Sequence, residues 1–315
     1  MLHGLRPTSA ETPLRSDATG PSMGPSGFEH QDQLATGSVT LMTTLTPAFT
    51  KERETLLITL YARALESRSR EPILRDELAE DLVRRLDYDF AKLKITQDDI
   101  VTAAVRAFEL DRWTGAFLAS NPVATVLHLG CGLDSRVFRV KPASGVTWFD
   151  LDLPDVIELR RRLYPEREGY RMIASSVTEP DWLRDVPLDR PVWVVAEGLL
   201  MYLDPQRVTE LLARLTARCS SGELAFDAFN SLGVRLARRH HGLEVAQASI
   251  TWGIDDPHEI ERQVPGLQFV TEFAFTDSPA MRKLPGWQRA ALRLTNRITT
   301  IRRVHRLLRY QFRGS

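Results

Sequence analysis

Apolar residues in this chain recur at two spacings, and the switch between them divides it. From about residue 50 to 119 they fall three and four apart. Leu56, Leu57, Leu60 and Ala64 mark one stripe, and Val101, Val105 and Phe108 another. That period predicts amphipathic helices. Leu86-Asp-Tyr-Asp-Phe90 interrupts the pattern, and Asn121-Pro122 ends it, because the residue before a proline is driven out of the helical region. Beyond lie short β-branched and aliphatic runs at Thr125–Leu129, Val146–Phe149, Arg171–Ala174, Val192–Ala196 and Leu224–Phe229, separated by helical stretches. Strands alternating with helices predict a parallel sheet with crossover helices. Pro154 starts one helix, with Val156, Leu159 and Leu163 on a common face. Asp204-Pro205 is an N-cap and first-position pair opening another, which buries Val208, Leu211, Leu212 and Leu215. Two further strands are expected at Phe269–Phe275 and Leu308–Arg313. In the second, Leu308, Tyr310 and Phe312 alternate with Arg309, Gln311 and Arg313. No internal repeat is evident.

Residues 1–45 follow neither period. They are rich in Gly, Pro, Ser and Thr, and a disordered tail is expected. Met42 directly precedes the patterned region, so the upstream stretch reads as a mispredicted start or a dispensable tail. The 315 residues therefore divide into a tail (1–45), a helical cap (46–120) and an α/β domain (121–315). Formal net charge is zero, which offers no basic field to nucleic acid. Two cysteines, Cys131 and Cys219, make no disulfide framework and suit a reducing compartment. With no 18-residue apolar run and no signal-peptide core, the expectation is a cytoplasmic protein with neither membrane nor nucleic acid as partner. Oligomeric state is left open. Segment 281–315 carries ten Lys and Arg and no acid, with Arg289, Arg293 and Arg297 four apart on one helical face. A solvated face is expected there rather than an RNA patch.

Chemistry concentrates where two strands end. Ala124-Thr-Val-Leu-His-Leu runs into Gly130-Cys-Gly132, and Val146-Thr-Trp-Phe runs into Asp150-Leu-Asp152. Glycines let a backbone approach a ligand, and an acid about 20 residues on can take both hydroxyls of a ribose. The turn is not G-x-G-x-x-G: Ser135 holds the third glycine position and Asp134 precedes it. A carboxylate there repels pyrophosphate, disfavouring an NAD-dependent reductase, and tolerates a cationic nucleotide such as S-adenosylmethionine. No metal site is visible; Asp255-Asp256 and His258 fit a capped helix start as well. Of seven histidines none is marked as a base. His128 is expected to pack inside the first strand, and His240-His241 to be exposed.

Four segments together resemble the leucine carboxyl methyltransferase-like family, in particular its bacterial polyketide O-methyltransferase branch of tetracenomycin type. They are Thr55-Leu-Leu-Ile-Thr-Leu-Tyr-Ala-Arg-Ala64, Leu129-Gly-Cys-Gly-Leu-Asp-Ser-Arg136, Trp148-Phe-Asp-Leu-Asp-Leu-Pro-Asp-Val156 and Ala196-Glu-Gly-Leu-Leu-Met-Tyr-Leu203. The resemblance implies a class I methyltransferase fold: a Rossmann-like α/β architecture with a seven-stranded, mostly parallel sheet, its last strand antiparallel, under an N-terminal helical cap. It implies S-adenosylmethionine as methyl donor and an oxygen nucleophile, often a carboxylate, on a small-molecule acceptor.

Site residues follow from the same resemblance. Gly130, Gly132 and Asp134 would meet the methionine half of the cofactor, Glu197 would lie near it, and Arg106 would pair with its carboxylate. Asp152 matches the ribose acid, with Asp150 the competing choice. Tyr202 would orient the acceptor, and Tyr61 and Arg63 would close the cap over it. Where many relatives have Asp-Leu at the adenine this chain has Ser175-Ser-Val177, so Ser176 and the Val177 backbone take that contact by position alone. A carboxylate acceptor is already ionised at pH 7, so the absence of a marked base favours it over a phenol. The alternatives are O-methylation of a hydroxyl and a non-catalytic cofactor-binding protein.

Overall fold

The computed structural model describes residues 54–237 and 249–313. The expected tail at 1–45 and the His240-His241 pair lie outside the described residues. Seven strands are formed: β1 (Ala124–Leu129), β2 (Val146–Asp152), β3 (Tyr170–Ala174), β4 (Val192–Ala196), β5 (Ser221–Phe229), β6 (Leu267–Ala274) and β7 (His305–Arg313). They make one sheet in the order β3-β2-β1-β4-β5-β7-β6. Strands β1 to β5 are parallel, and β7 runs antiparallel between β5 and β6. This is the mostly parallel seven-stranded sheet that the resemblance implies.

Central parallel strands are covered on both faces and need continuous apolar runs. Accordingly all six residues of β1 and all five of β4 are buried. Their side chains alternate between two cores. On one face Val126, Trp148 and Trp193 meet Val101, Val105, Trp113 and Phe117 of α3 (Gln97–Ser120). On the other, Leu127, Val194 and Phe226 meet Val208, Leu211 and Leu215 of α6 (Pro205–Arg218). Helices α1 (Glu54–Ser67) and α2 (Glu77–Arg85) bury Leu57, Leu60, Ala64 and Leu82. They pack against Leu133 and against Leu159 and Leu163 of α5 (Pro154–Leu163). Three short helices, α4 (Arg136–Val140), α7 (Ser231–Ala237) and α8 (His258–Gln263), join these elements. Two more, α9 (Gly286–Thr295) and α10 (Thr299–Arg302), precede β7. No helix among the described residues is long and apolar enough to cross a membrane.

Local chemistry places the boundaries. Thr96 and Asp99 form a reciprocal capping box that starts α3. The Asp204 side chain accepts from Gln206 N, and Pro205 takes the first turn of α6. Two departures from the pattern are physical. Strand β2 continues past Phe149 because the charge of Asp150 is compensated inside the sheet. Phe108 is 45% exposed, off the buried stripe of α3. The three-arginine face also fails: α9 ends at Thr295, before Arg297. Most basic residues of this segment find acids instead, as in Arg302 with Asp277, Arg303 with Glu272, Arg309 with Glu223 and Lys283 with Glu66.

Candidate active site

Strand order reverses between β1 and β4, and open α/β sheets bind ligands in the crevice beyond the carboxyl ends of such strands. A cavity of about 700 Å³ opens there. Its inner wall is the turn after β1. Gly130 and Gly132 both take positive φ, +61° and +49°, and a Cβ on Gly130 would stand 2.8 Å from Leu199 Cδ1. The turn is fastened at Gly132, whose N–H donates to Asp152 Oδ2 (2.7 Å) and whose carbonyl accepts from Arg160 Nη1 (2.7 Å).

The two acids of β2 have different surroundings. Asp150 is fully buried and accepts from Trp148 Nε1 (2.8 Å), Tyr170 Oη (2.7 Å) and Arg160, with His128 Nδ1 at 3.1 Å. Burial alone would raise its pKa; Arg160 and His128 outweigh it and bring it down to about 2. Such a saturated carboxylate has no capacity for a ligand. Asp152, at the strand end, is held by the Gly132 and Leu153 N–H groups, and burial pushes its pKa up against those bonds.

A buried chain of ion pairs ties the cap helices to this edge. Arg63 reaches Asp76 (3.1 Å) and the Leu133 carbonyl (2.7 Å). Arg139 joins Asp76, Asp111 and Asp134, and Arg136 joins Asp111 and Glu197. Arg106 closes the chain on Glu197 (2.9 Å) and Asp227 (3.1 Å). Burial would raise the carboxyl pKa values, yet the guanidiniums win. Arg139 and Arg136 hold Asp134 well below the usual range, and Arg106 and Arg136 lower Glu197. Five carboxylates thus face four guanidiniums, and Asp134 Oδ2, which accepts no hydrogen bond, lies 3.1 Å from Arg136 Nη2. A surplus of negative charge fits a cationic ligand bearing an ammonium group and repels pyrophosphate.

Of the residues expected at the site, Arg63, Arg106, Gly130, Gly132, Asp134, Glu197 and Tyr202 line the cavity. Asp152, Ser176 and Val177 are not among its lining residues. Ser175 N donates to the Asp152 carbonyl (2.9 Å), so the ends of β2 and β3 stay joined, and Ser176 Oγ pairs with Thr178 Oγ1 (2.8 Å). Val177 is buried, with its carbonyl accepting from Trp182 Nε1. Tyr61 departs from the expectation: it is on the far side of α1 from the cavity, its ring 4.9 Å from that of Phe90. Arg63 is likewise committed, since its guanidinium clamps α1 onto the glycine turn. Asp255 accepts from Ser231, and Asp256 from His258 N and Arg262, so this acidic pair caps helices. His128 packs in β1 as expected.

The sequence reading missed His305 and Asp227. His305 Nε2 is 2.9 Å from Asp227 Oδ2, and the imidazole lines the cavity. A lone acid within Leu224-Ala-Phe-Asp-Ala-Phe229 is the one signal that could have exposed the pair, because a buried strand carboxylate needs a partner. The cavity is also lined by the apolar Phe229, Ile250, Phe275, Met281, Leu284 and Val304, alongside Thr276 and Arg302.

The family described as leucine carboxyl methyltransferase matches residues 56–216. Over 262 residues the chain is 47% identical to the tetracenomycin polyketide synthesis O-methyltransferase of Streptomyces glaucescens, covering 82% of this chain and 96% of that protein. It is 39% identical over 241 residues to an S-adenosyl-L-methionine-dependent methyltransferase of Gibberella zeae, covering 70% and 81%. A solved DUF574 family protein from Streptomyces avermitilis shares the fold, with a TM-score of 0.54 at 13% identity over 84% of this chain and 100% of that chain.

Proposed function

Because the chain belongs to the leucine carboxyl methyltransferase family, we propose that the acceptor it methylates is the carboxylate of a small, largely apolar acid of polyketide or aromatic type. It is an S-adenosylmethionine-dependent O-methyltransferase. Arg106, Gly130, Gly132, Asp134 and Glu197 would hold the methionine half of the cofactor, Asp152 the ribose hydroxyls, and Ser176 and Val177 the adenine. When bound, the cofactor supplies a methyl group on a sulfonium, which an oxygen nucleophile takes in line while sulfur leaves as a neutral thioether.

The observation that carries the acceptor reading is that one cavity is lined both by Arg106, Asp134 and Glu197 and by Phe229, Ile250, Phe275, Met281 and Leu284. Reacting group and hydrocarbon skeleton can then occupy it together. A carboxylate arrives ionised and asks the chain only for orientation and a dry surrounding. Tyr202 suits that role, since burial pushes its phenol up to about 12 and it remains a donor at neutral pH. A hydroxyl acceptor is the second reading, favoured by the His305–Asp227 pair, which could take a proton from it.

The test is to supply the purified enzyme with S-adenosylmethionine and matched aromatic acids and phenols, and to hydrolyse the products in mild alkali. A base-labile methyl ester is expected. A base-stable ether as the sole product overturns the carboxylate reading.

A further inference from the structure

His305 faces the cavity in a fixed attitude and is not among the residues proposed above to hold the cofactor. Its ring stacks on Phe229, with centroids 4.1 Å apart and planes at 18°, and meets Phe275 edge-on at 4.5 Å. Asp227 is itself held by Gly198 N (2.6 Å) and by Arg106, so it accepts the Nε2–H of the imidazole; this assignment of the proton follows from the pairing. Among the described residues only Nε2 has a hydrogen-bond partner, which leaves Nδ1 for a ligand. The ring lines the cavity together with Gly198, Tyr202, Phe229 and Val304.

We infer that His305, oriented by Asp227, binds the acceptor's carboxylate, donating Nδ1–H to one oxygen and leaving the other to receive the methyl group. The inference rests on the carboxylate reading above. The charged groups facing the imidazole are Asp227 from β5, Arg106 from α3 and Glu197 at the end of β4, with the phenol of Tyr202 nearby. Arg302, from α10, also lines the cavity but is paired with Asp277. Burial pulls the pKa of His305 below its usual value despite Asp227, so the ring is neutral before the acid arrives. A carboxylate at Nδ1 then draws one proton from solvent onto the ring. Esterification removes the negative charge, the proton returns to solvent, and the neutral ester loses its ionic partner.

The test is calorimetry of an accepted acid binding to the enzyme loaded with S-adenosylhomocysteine, in two buffers of different ionisation enthalpy. Uptake approaching one proton per acid is expected, with Kd weakening about tenfold per pH unit above neutrality. His305→Gln keeps a donor but cannot titrate, so proton uptake and pH slope should vanish while S-adenosylhomocysteine affinity stays within about twofold. His305→Ala should weaken acid binding about tenfold or more. Acid binding without proton uptake in the natural enzyme, or an unchanged slope in His305→Gln, overturns the role of His305 alone. Turnover of phenols with no acid binding overturns the carboxylate reading beneath it.

Discussion

Arg139 is the group whose loss the buried ion-pair chain can least absorb. Its Nη1 lies 2.6 Å from Asp134 and 2.9 Å from Asp76, and its Nε lies 2.7 Å from Asp111. Arg139→Met retains an apolar stem but leaves those carboxylates short of their shared cation. Removing one partner of a buried pair costs about 3–5 kcal/mol. In a chain of this size each kcal/mol moves Tm by about 2–4 °C, so a fall of roughly 6–20 °C is expected at pH 7.5. The sign with pH follows from Asp134. In the natural protein its folded pKa is depressed, so its stabilisation is present above the unfolded carboxyl value and lost only as pH falls through the folded one. In the variant the carboxyl keeps its burial but loses Arg139, and its folded pKa rises. Ionisation then destabilises the fold most at high pH, and the deficit should shrink on going from pH 7.5 to pH 5. Scanning calorimetry of both proteins at both values measures this. A fall of less than about 2 °C at pH 7.5, or a deficit that widens at pH 5, refutes the argument.

Other substitutions separate the roles around the cavity. Asp152→Ala should weaken S-adenosylmethionine binding about tenfold or more in calorimetry with little loss of Tm, whereas Asp150→Ala should lower stability by about 3–5 kcal/mol in urea unfolding because it strands Arg160. Equal effects from the two would show that β2 ends differently. Gly130→Ala forces a side chain into positive φ beside Leu199, costing about 1–2 kcal/mol and cofactor affinity; an unaffected Kd would mean the turn does not approach the ligand. Tyr202→Phe should cut acceptor kcat/KM by about tenfold while cofactor Kd holds, and a normal kcat/KM removes Tyr202 from the acceptor.

What could be read in the sequence was local. Val192–Ala196 is matched residue for residue, because a central parallel strand is an uninterrupted apolar run between turn residues. The glycine turn and Glu197 stood out because each immediately follows such a run, whereas Asp152 was preferred to Asp150 only for its place in the matched motif. Strand β2 was read short at Phe149, since Asp150 looks like a strand end until Arg160, Tyr170 and Trp148 are seen around it. Likewise β7 was read from Leu308, although Arg306 and Leu307 are buried, because the partners of Arg306 are the carbonyls of Ile254 and Asp255, 52 and 51 residues away. His305 and Asp227 meet through antiparallel registry across 78 positions. No period or motif spans such a distance. Tyr61 failed for a related reason, since matching a segment does not establish which way one side chain on α1 faces.

Among the described strands the seventh follows the other six in sequence yet is internal in space, and this bears on how the sheet is assembled. Until residues 305–313 have left the ribosome, the nine-residue edge of β5 has no neighbour on that side, and β6, whose place depends on β7 alone, has nothing to pair with. A partly synthesised chain therefore displays an open sheet edge, a template for pairing with other nascent chains. Synthesis of this enzyme should consequently be more sensitive to stalling or truncation within β7 than to equal losses at a peripheral helix.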